Sequence, residues 1–591
     1  MKPAALLRPF FLVLAGVTLA WGAYAVWRYG WRDLYADPWR LYPRFLTLPF
    51  PDNVLFLENG HRPVVPNLLR VFEIRVAAGN QVLQWAVGLA FAVLTVVVGW
   101  AILLRDRTLS GLDRAACALA LSLAVFWLAN SRMLMHPNES VHTYLITLLV
   151  AVAALVAAPA VAEGARIGRT AIAVCAICGF LATFSFGPGL ALFVALAVVL
   201  AIVHAPGYRI VFIVASMLVT LAAYFALPGG QGVSGVLKLQ PLANLRVAAQ
   251  WLASPIMYLL LPFLDGNLAA VLPGELLRRV ALWTSGSYAA HFGDVWHSVW
   301  PQAAIGAAGI AALLLHSVER WRRRDVASTA FAGLLFAWFG LGVAGVVALS
   351  RLAYFEVYPD QVYANRYLPW PCLFWAGLVL VALGHVRTGL RVAGSLPRRL
   401  LLAALAFFAL SALVSNPNWM GWARDTQTLA RHQATAVLTD VYAATLVQGE
   451  TVPAELHAGV PAVRAARVAL FAHPAAGRLG SRLVEAPAGL FAPHAAATAR
   501  PFVSDAGVAA LEIAAPMPAG YPRVRADYWV LTDDEGVVVG YAHFEPLDSG
   551  KRLAGFVRAA GVDGHVRAYP WLRDTGPGEG IELRFAPPAA H

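Results

Sequence analysis

Apolar runs long enough to cross a lipid bilayer recur from Ala4 to Val414, and they leave this chain few folds to choose from. About 20 consecutive apolar residues span the hydrocarbon core. Inside it each backbone N–H and C=O needs a partner within the protein, so every run is expected to be a helix. The 591-residue sequence is 59% hydrophobic and only 13% charged, where soluble domains carry about 25% charged residues. So few charges do not cover the surface of a soluble protein of this length, which excludes a soluble enzyme.

Eleven spans are expected, near residues 9–27, 82–104, 113–131, 142–162, 170–184, 188–204, 209–227, 298–317, 328–349, 368–385 and 400–415. The first is as long as a full span, and Ala23-Tyr24-Ala25-Val26-Trp27 is a poor cleavage site, so it reads as a span and not a removable leader. Alternate connections are short and basic. They hold Lys2 and Arg8; Arg105, Arg107 and Arg114; Arg166 and Arg169; Arg209; Arg320, Arg322, Arg323 and Arg324; and Arg387, Arg391, Arg398 and Arg399. The intervening short loops are poor in basic residues, and residues 183–189 have none. Lys and Arg collect in cytoplasmic loops, so the N-terminus is expected in the cytoplasm. An odd number of crossings then puts the C-terminal tail outside. The net charge of +12 is read as this topology, and no nucleic-acid partner is expected.

The four cysteines, Cys117, Cys175, Cys178 and Cys372, all lie in apolar runs. Cys175 and Cys178 have redox-motif spacing but sit in an expected span, where they read as small buried apolar residues. The tail has no cysteine and hence no disulfide.

The expected architecture is an all-α polytopic membrane bundle over 1–415, with large outer loops at 28–81 and 228–297, followed by an outer α+β domain over 416–591. Residues 246–264 read as an amphipathic or half-buried stretch lying along the interface. The tail begins with a helical pattern from Trp419 to Val447, and from Ala510 it reads as strands near 511–514, 528–532, 537–545, 553–559, 565–569 and 581–585. Asp533-Asp534-Glu535-Gly536 between two β-rich runs signals a hairpin. A small antiparallel sheet or sandwich of five or six strands is expected.

The spans carry almost no ionisable groups at their centres, which argues against an ion-coupled transporter or a channel with a charged filter. Chemistry is therefore expected at the outer face. The first outer loop is the densest candidate, with Asp33, Asp37, Trp39, Arg40, Asp52, Glu58, His61, Arg62 and Arg70 close to the membrane. Aromatic faces stack on sugars, acids accept a hydroxyl proton, and Arg grips phosphate through two parallel bonds. The same composition also describes a solvated interfacial loop anchored by Trp and Tyr.

A long first outer loop with an acid soon after the first span, then many spans and a soluble outer domain, resembles the GT-C superfamily of membrane glycosyltransferases. Asp37-Pro38-Trp39 resembles the acidic motif that the oligosaccharyltransferase catalytic subunit carries in that loop. The segment from Glu58-Asn59-Gly60-His61-Arg62-Pro63 to Leu69 is similar to bacterial GT-C-like proteins found in surface-polysaccharide contexts. Asn365-Arg366-Tyr367 resembles a Ser/Asn-Arg-Tyr element of the same proteins. The resemblance covers about 1–415, does not clearly extend to the tail, and lacks a paired Asp-Asp or Asp-Glu motif.

It implies a multi-pass protein of the bacterial inner membrane with a periplasmic C-terminal domain. The donor would be a polyprenyl-phosphate sugar and the acceptor a glycan or lipid-linked molecule, with inversion at the sugar. A carboxylate must then deprotonate the acceptor hydroxyl. Asp37 is the first choice, then Glu58 and Asp52; Asp37 also reads as a turn cap before Pro38, and Glu58 as an ion-pair partner of Arg62. Arg62 and Arg366 are the choices for the donor phosphate, with His61 beside them. Trp39, His136, Glu139, His142 and Tyr363 are expected to line the acceptor cavity. His136 and His142 are six residues apart with Pro137 between them, which is not a helical metal-ligand pair. No cofactor is required, and a divalent metal is not supported. His291, Asp294 and His297 read as a wet helix face. The competing classes are a non-catalytic component of a polysaccharide assembly machine, a polysaccharide polymerase or ligase using a diphosphate-linked glycan, and a transporter.

Overall fold

A computed structural model describes residues 3–162, 167–227, 237–270, 272–324, 326–384, 396–447, 449–484, 490–521, 526–547, 550–572 and 575–586. Arg166, Arg387 and Arg391 of the basic loops lie outside the described residues. The chain divides into two units. The first comprises Met1–Gly30, Val54–Leu69 and Gln84–Ala423; the second comprises Trp31–Asn53, Arg70–Leu83 and Arg424–His591. The first outer loop is thus shared, with its acidic beginning in the second unit and residues 54–69 in the first.

The first unit is helical. Nine helices among the described residues are long and apolar enough to cross a membrane. Eight match expected spans: Leu6–Tyr29, Val82–Arg105, Gly111–Met135, Pro137–Pro159, Gly207–Ala226, Trp300–Arg323, Ser328–Val357 and the start of Leu396–Thr439. The count of eleven is not confirmed among the described residues. Arg169–Thr183 and Gly187–Ile202 are shorter apolar helices, and Pro359–Tyr367 with Pro369–Leu383 is a pair bent by 77°.

The ninth helix, Pro241–Leu264, corrects the reading of an interfacial stretch. It is a 24-residue helix packed against Trp300–Arg323 and Ser328–Val357. Its polar residues Asn244 and Gln250 are buried and bond to neighbouring elements, while Arg246 is exposed. Asn244 Nδ2 donates to the Ala348 carbonyl at 2.8 Å, and Gln250 Nε2 to the Tyr363 hydroxyl at 3.0 Å. With little hydrophobic drive between helices in lipid, close backbone approach at small residues carries the packing. A Cβ on Gly306 would fall 1.8 Å from the Ala249 carbonyl oxygen, and one on Gly333 2.6 Å from that of Gly377.

In the second unit the helix Pro38–Thr47 packs against Pro453–Ala465. A Cβ on Gly459 would fall 2.3 Å from the Trp39 carbonyl oxygen. The strands are β1 (Leu490–Ala496), β2 (Thr498–Val503), β3 (Ala509–Pro516), β4 (Trp529–Thr532), β5 (Val538–Leu547), β6 (Gly550–Arg558), β7 (His565–Leu572), β8 (Gly576–Pro577) and β9 (Gly580–Arg584). The six expected strands are β3 to β7 and β9. The sheet is neither small nor a sandwich: the strands form a single sheet in the order β1-β9-β7-β4-β5-β6-β3-β2, with β8 beside β7. β1 runs parallel to β9 and the other pairs are antiparallel. β1 at one end packs against β3 near the other, so the sheet is barrel-like. The expected hairpin joins β4 to β5: Asp533 and Val537 pair, and Gly536 takes φ +78°.

Candidate functional site

In the first unit the outer-loop motif becomes a tight turn. Glu58 and His61 exchange two backbone hydrogen bonds of 2.8 Å, and the residues between them, Asn59 and Gly60, have φ of +49° and +79°. Asn-Gly is the pair that best tolerates two successive positive φ values. The turn sets the His61 ring 4.1 Å from Phe186. Gly187 makes room for it, since a Cβ there would fall 2.5 Å from His61 Nδ1. Phe186 also stacks on His142 at 4.5 Å and on Trp370 at 6.2 Å. Burial, and then the nearby Arg351 guanidinium, push His61 down to about 4, so its imidazole is neutral at pH 7.

Arg351 carries no signal in the sequence, where it falls just past the end of an expected span. It is half-buried, and among the described residues it has no carboxylate partner and no hydrogen bond. The other candidate cations are engaged. Arg62 is buried, donates to the carbonyls of Leu55 at 2.8 Å and Leu227 at 2.7 Å, and lies over the Tyr224 ring. Desolvation lowers its pKa. Arg366 is held by Gln361 Oε1 at 3.0 Å and the Tyr354 hydroxyl at 3.3 Å, and lies over Tyr367.

Glu139 is clasped by Arg132 through two bonds, Nε to Oε2 at 3.0 Å and Nη2 to Oε1 at 2.6 Å. His136 Nδ1 lies 3.5 Å from the same Oε1. All three are buried. The turn Asn365–Tyr367 packs against Ser131–Met135, which carries Arg132. Tyr363 is buried, accepting from Gln250 through its hydroxyl and from Tyr258 through its carbonyl at 2.7 Å.

Next to this polar cluster along the chain is an apolar cavity of about 200 Å³, lined by residues including Trp127, Leu259, Cys372, Trp375, Leu401 and Phe408. It shares segments with the cluster: Trp127 precedes the turn leading to Arg132, and Cys372 follows Trp370 by two residues.

The remaining candidates belong to the second unit. Asp37 Oδ1 pairs with Arg40 at 2.9 Å, and Arg40 also reaches Glu455 at 3.1 Å. The Asp37 carboxylate stays half-exposed, and its second oxygen has no partner among the described residues. Burial raises the Glu455 carboxyl, with Arg40 pulling the other way. Asp52 is exposed at the start of a one-turn helix, and Trp39 is fully buried. The structure therefore divides the sequence candidates: Glu58, His61, Arg62, His136, Glu139, His142, Tyr363 and Arg366 in one unit, Asp37, Trp39 and Asp52 in the other. His297 pairs with Asp294 at 3.1 Å on an exposed face, and His291 bonds the Ser287 carbonyl.

The second unit also holds an open cleft of about 980 Å³ whose lining includes Arg464, Arg467, Arg478, Arg558 and a single acid, Asp440. Asp440 pairs with Arg464 at 2.7 Å and Arg558 at 3.2 Å. Arg478 lies over Trp571. Excess positive charge in a cleft raises the local concentration of anions. These arginines come from two distant segments, 464–478 and 558, so only folding brings them together.

Comparison with protein families, with curated proteins and with solved structures finds no match for this chain.

Proposed function

We propose that this chain is a membrane glycosyltransferase of the bacterial inner membrane that moves a sugar from a polyprenyl-phosphate donor to an acceptor at the periplasmic face. The observation that carries the reading is Arg351: a half-buried guanidinium without a carboxylate partner among the described residues, near enough to His61 for its charge to hold that imidazole down. An unpaired charge held partly out of water is costly unless an anion arrives to meet it. A lipid phosphate supplies that anion, and the apolar cavity suits the first isoprene units of its tail. Arg366, oriented by Gln361 and Tyr354, is the second phosphate ligand. The acceptor proton needs a carboxylate, and Asp37 is the one the resemblance assigns to that role. The sugar then inverts as the lipid phosphate leaves. The arginine cleft of the second unit favours an anionic glycan as acceptor.

The test uses the full chain reconstituted into liposomes with polyprenyl-phosphate hexoses and a membrane extract as acceptor source, reading release of polyprenyl phosphate. Wild type is expected to consume donor, and Arg351→Gln and Asp37→Asn to slow release by about 100-fold, the scale typical of losing a positioned acid–base group or charge donor. Correctly inserted variants as fast as wild type would remove the assignment. A second reading, a non-catalytic assembly component, is favoured by Arg132 and Glu139 being spent on each other. It predicts no donor consumption by wild type.

A further inference from the structure

The second unit contains a cluster that the transfer reaction does not use. His432 lies on the C-terminal part of Leu396–Thr439, and His543 and Glu545 lie two residues apart on one face of β5. The helix is seated on the sheet here: Thr439 Oγ1 accepts from the Tyr541 N–H at 3.1 Å, and the His432 ring lies 4.5 Å from Phe556 of β6. One potential ligand atom from each of His432, His543 and Glu545 falls within 4.8 Å of the others.

The hydrogen bonds fix the tautomers. His432 Nε2 lies 3.1 Å from Glu512 Oε1, and His543 Nε2 lies 3.1 Å from Glu545 Oε1. An ionised carboxylate only accepts, so each Nε2 carries the hydrogen. Each Nδ1 therefore presents a lone pair. Both Nδ1 atoms are buried and have no hydrogen-bond partner among the described residues, and His543 is completely buried. Burying a polar atom without a partner costs about 1–3 kcal/mol. At His432 a bare Nδ1 whose opposite N–H donates to Glu512 is the usual state of a metal-bound histidine; at His543 the hydrogen between Nε2 and Glu545 Oε1 marks where a metal would be held by both, the proton moving to Nδ1. The surrounding charges are compatible. Arg552 holds Glu545 Oε2 through Nε at 2.8 Å and leaves Oε1 on the histidine side. Arg500 stands 3.8 Å from Glu512, and Arg431 adds positive charge near His543.

We infer that His432, His543 and Glu545 form a binding site for one zinc-class divalent transition metal ion, completed by water and steadied by Glu512 and Arg552. Two imidazoles and a carboxylate suit zinc and its neighbours and disfavour magnesium and calcium, which prefer all-oxygen sites. Closing the cluster to bonds of about 2.1 Å needs ligand separations of roughly 3.4 Å, which side-chain rotation supplies. The site is independent of the transferase reading.

The test is metal binding by the full-length protein in detergent, purified without a polyhistidine tag. After equilibration with zinc(II) and removal of excess, wild type is expected to retain one zinc per chain by mass spectrometry, and chelation to lower the melting temperature reversibly. Cobalt(II) should give a d–d spectrum without the thiolate charge-transfer band that the cysteines would produce. His432→Gln, at the partly exposed ligand, is expected to weaken zinc binding about tenfold or more. His543→Gln should do the same; if it does not fold, His432→Gln decides alone. A folded wild type that retains no zinc, or a His432→Gln variant that retains it as tightly, overturns the site.

Discussion

Arg132 and Glu139 offer a decisive measurement, because the same pair reads either as a brace or as a cavity wall. The two side chains are joined by bonds of 3.0 and 2.6 Å and are almost wholly removed from solvent. With charge centres roughly 4 Å apart and an effective dielectric of about 20, their attraction is about 4 kcal/mol. Removing one partner leaves the other charge buried, at a cost of about 3–5 kcal/mol. Arg132→Met and Glu139→Leu are therefore each expected to destabilise the chain by that amount. The double variant, which buries no uncompensated charge, should return to within about 2 kcal/mol of wild type. Reversible unfolding in mixed micelles measures all four proteins and gives the coupling energy directly. Single variants within about 1 kcal/mol of wild type, or a double variant as unstable as the sum of the singles, would refute the brace. The transfer assay on the double variant separates the two roles: a stable and active protein makes the pair purely architectural.

Three further outcomes are expected. His61 is pushed from 6.5 to about 4, so the unfolded chain takes up its proton first as pH falls. The fold has this contribution in full above about pH 6.5 and loses it, up to about 3 kcal/mol, between 6.5 and 4, and His61→Gln should flatten that part of a stability–pH curve. Gly306→Leu should destabilise by more than about 3 kcal/mol in the same unfolding assay, because no side chain fits 1.8 Å from the Ala249 carbonyl. Arg467→Glu should weaken binding of a polyuronate oligosaccharide several-fold in low salt, by calorimetry, with the difference shrinking in 0.5 M salt where the Debye length falls to about 4 Å; salt-independent binding would remove the electrostatic role of the cleft.

The features legible in the amino-acid order alone are local ones. Eight apolar runs are helices of crossing length because hydrophobic length and backbone pairing are properties of a single segment. Six strands and the Asp533–Gly536 hairpin are legible because period-two burial and turn chemistry act within a few residues. Whatever depends on which face meets what emerges only when the chain packs. Residues 246–264 read as an interfacial stretch, yet Gln250 bonds the Tyr363 hydroxyl and the helix packs against two other long helices. β1 joins β9 across about ninety residues, a pairing that no local pattern announces. Above all, the state of a charged or ligating group is a property of its neighbours. Arg62 and Arg366 look alike in sequence to Arg351, but the first two are held by partners, and Arg351 lacks a counter-ion among the described residues. His432 and His543 are ordinary histidines until a helix and a strand more than a hundred residues apart bring them together with Glu545.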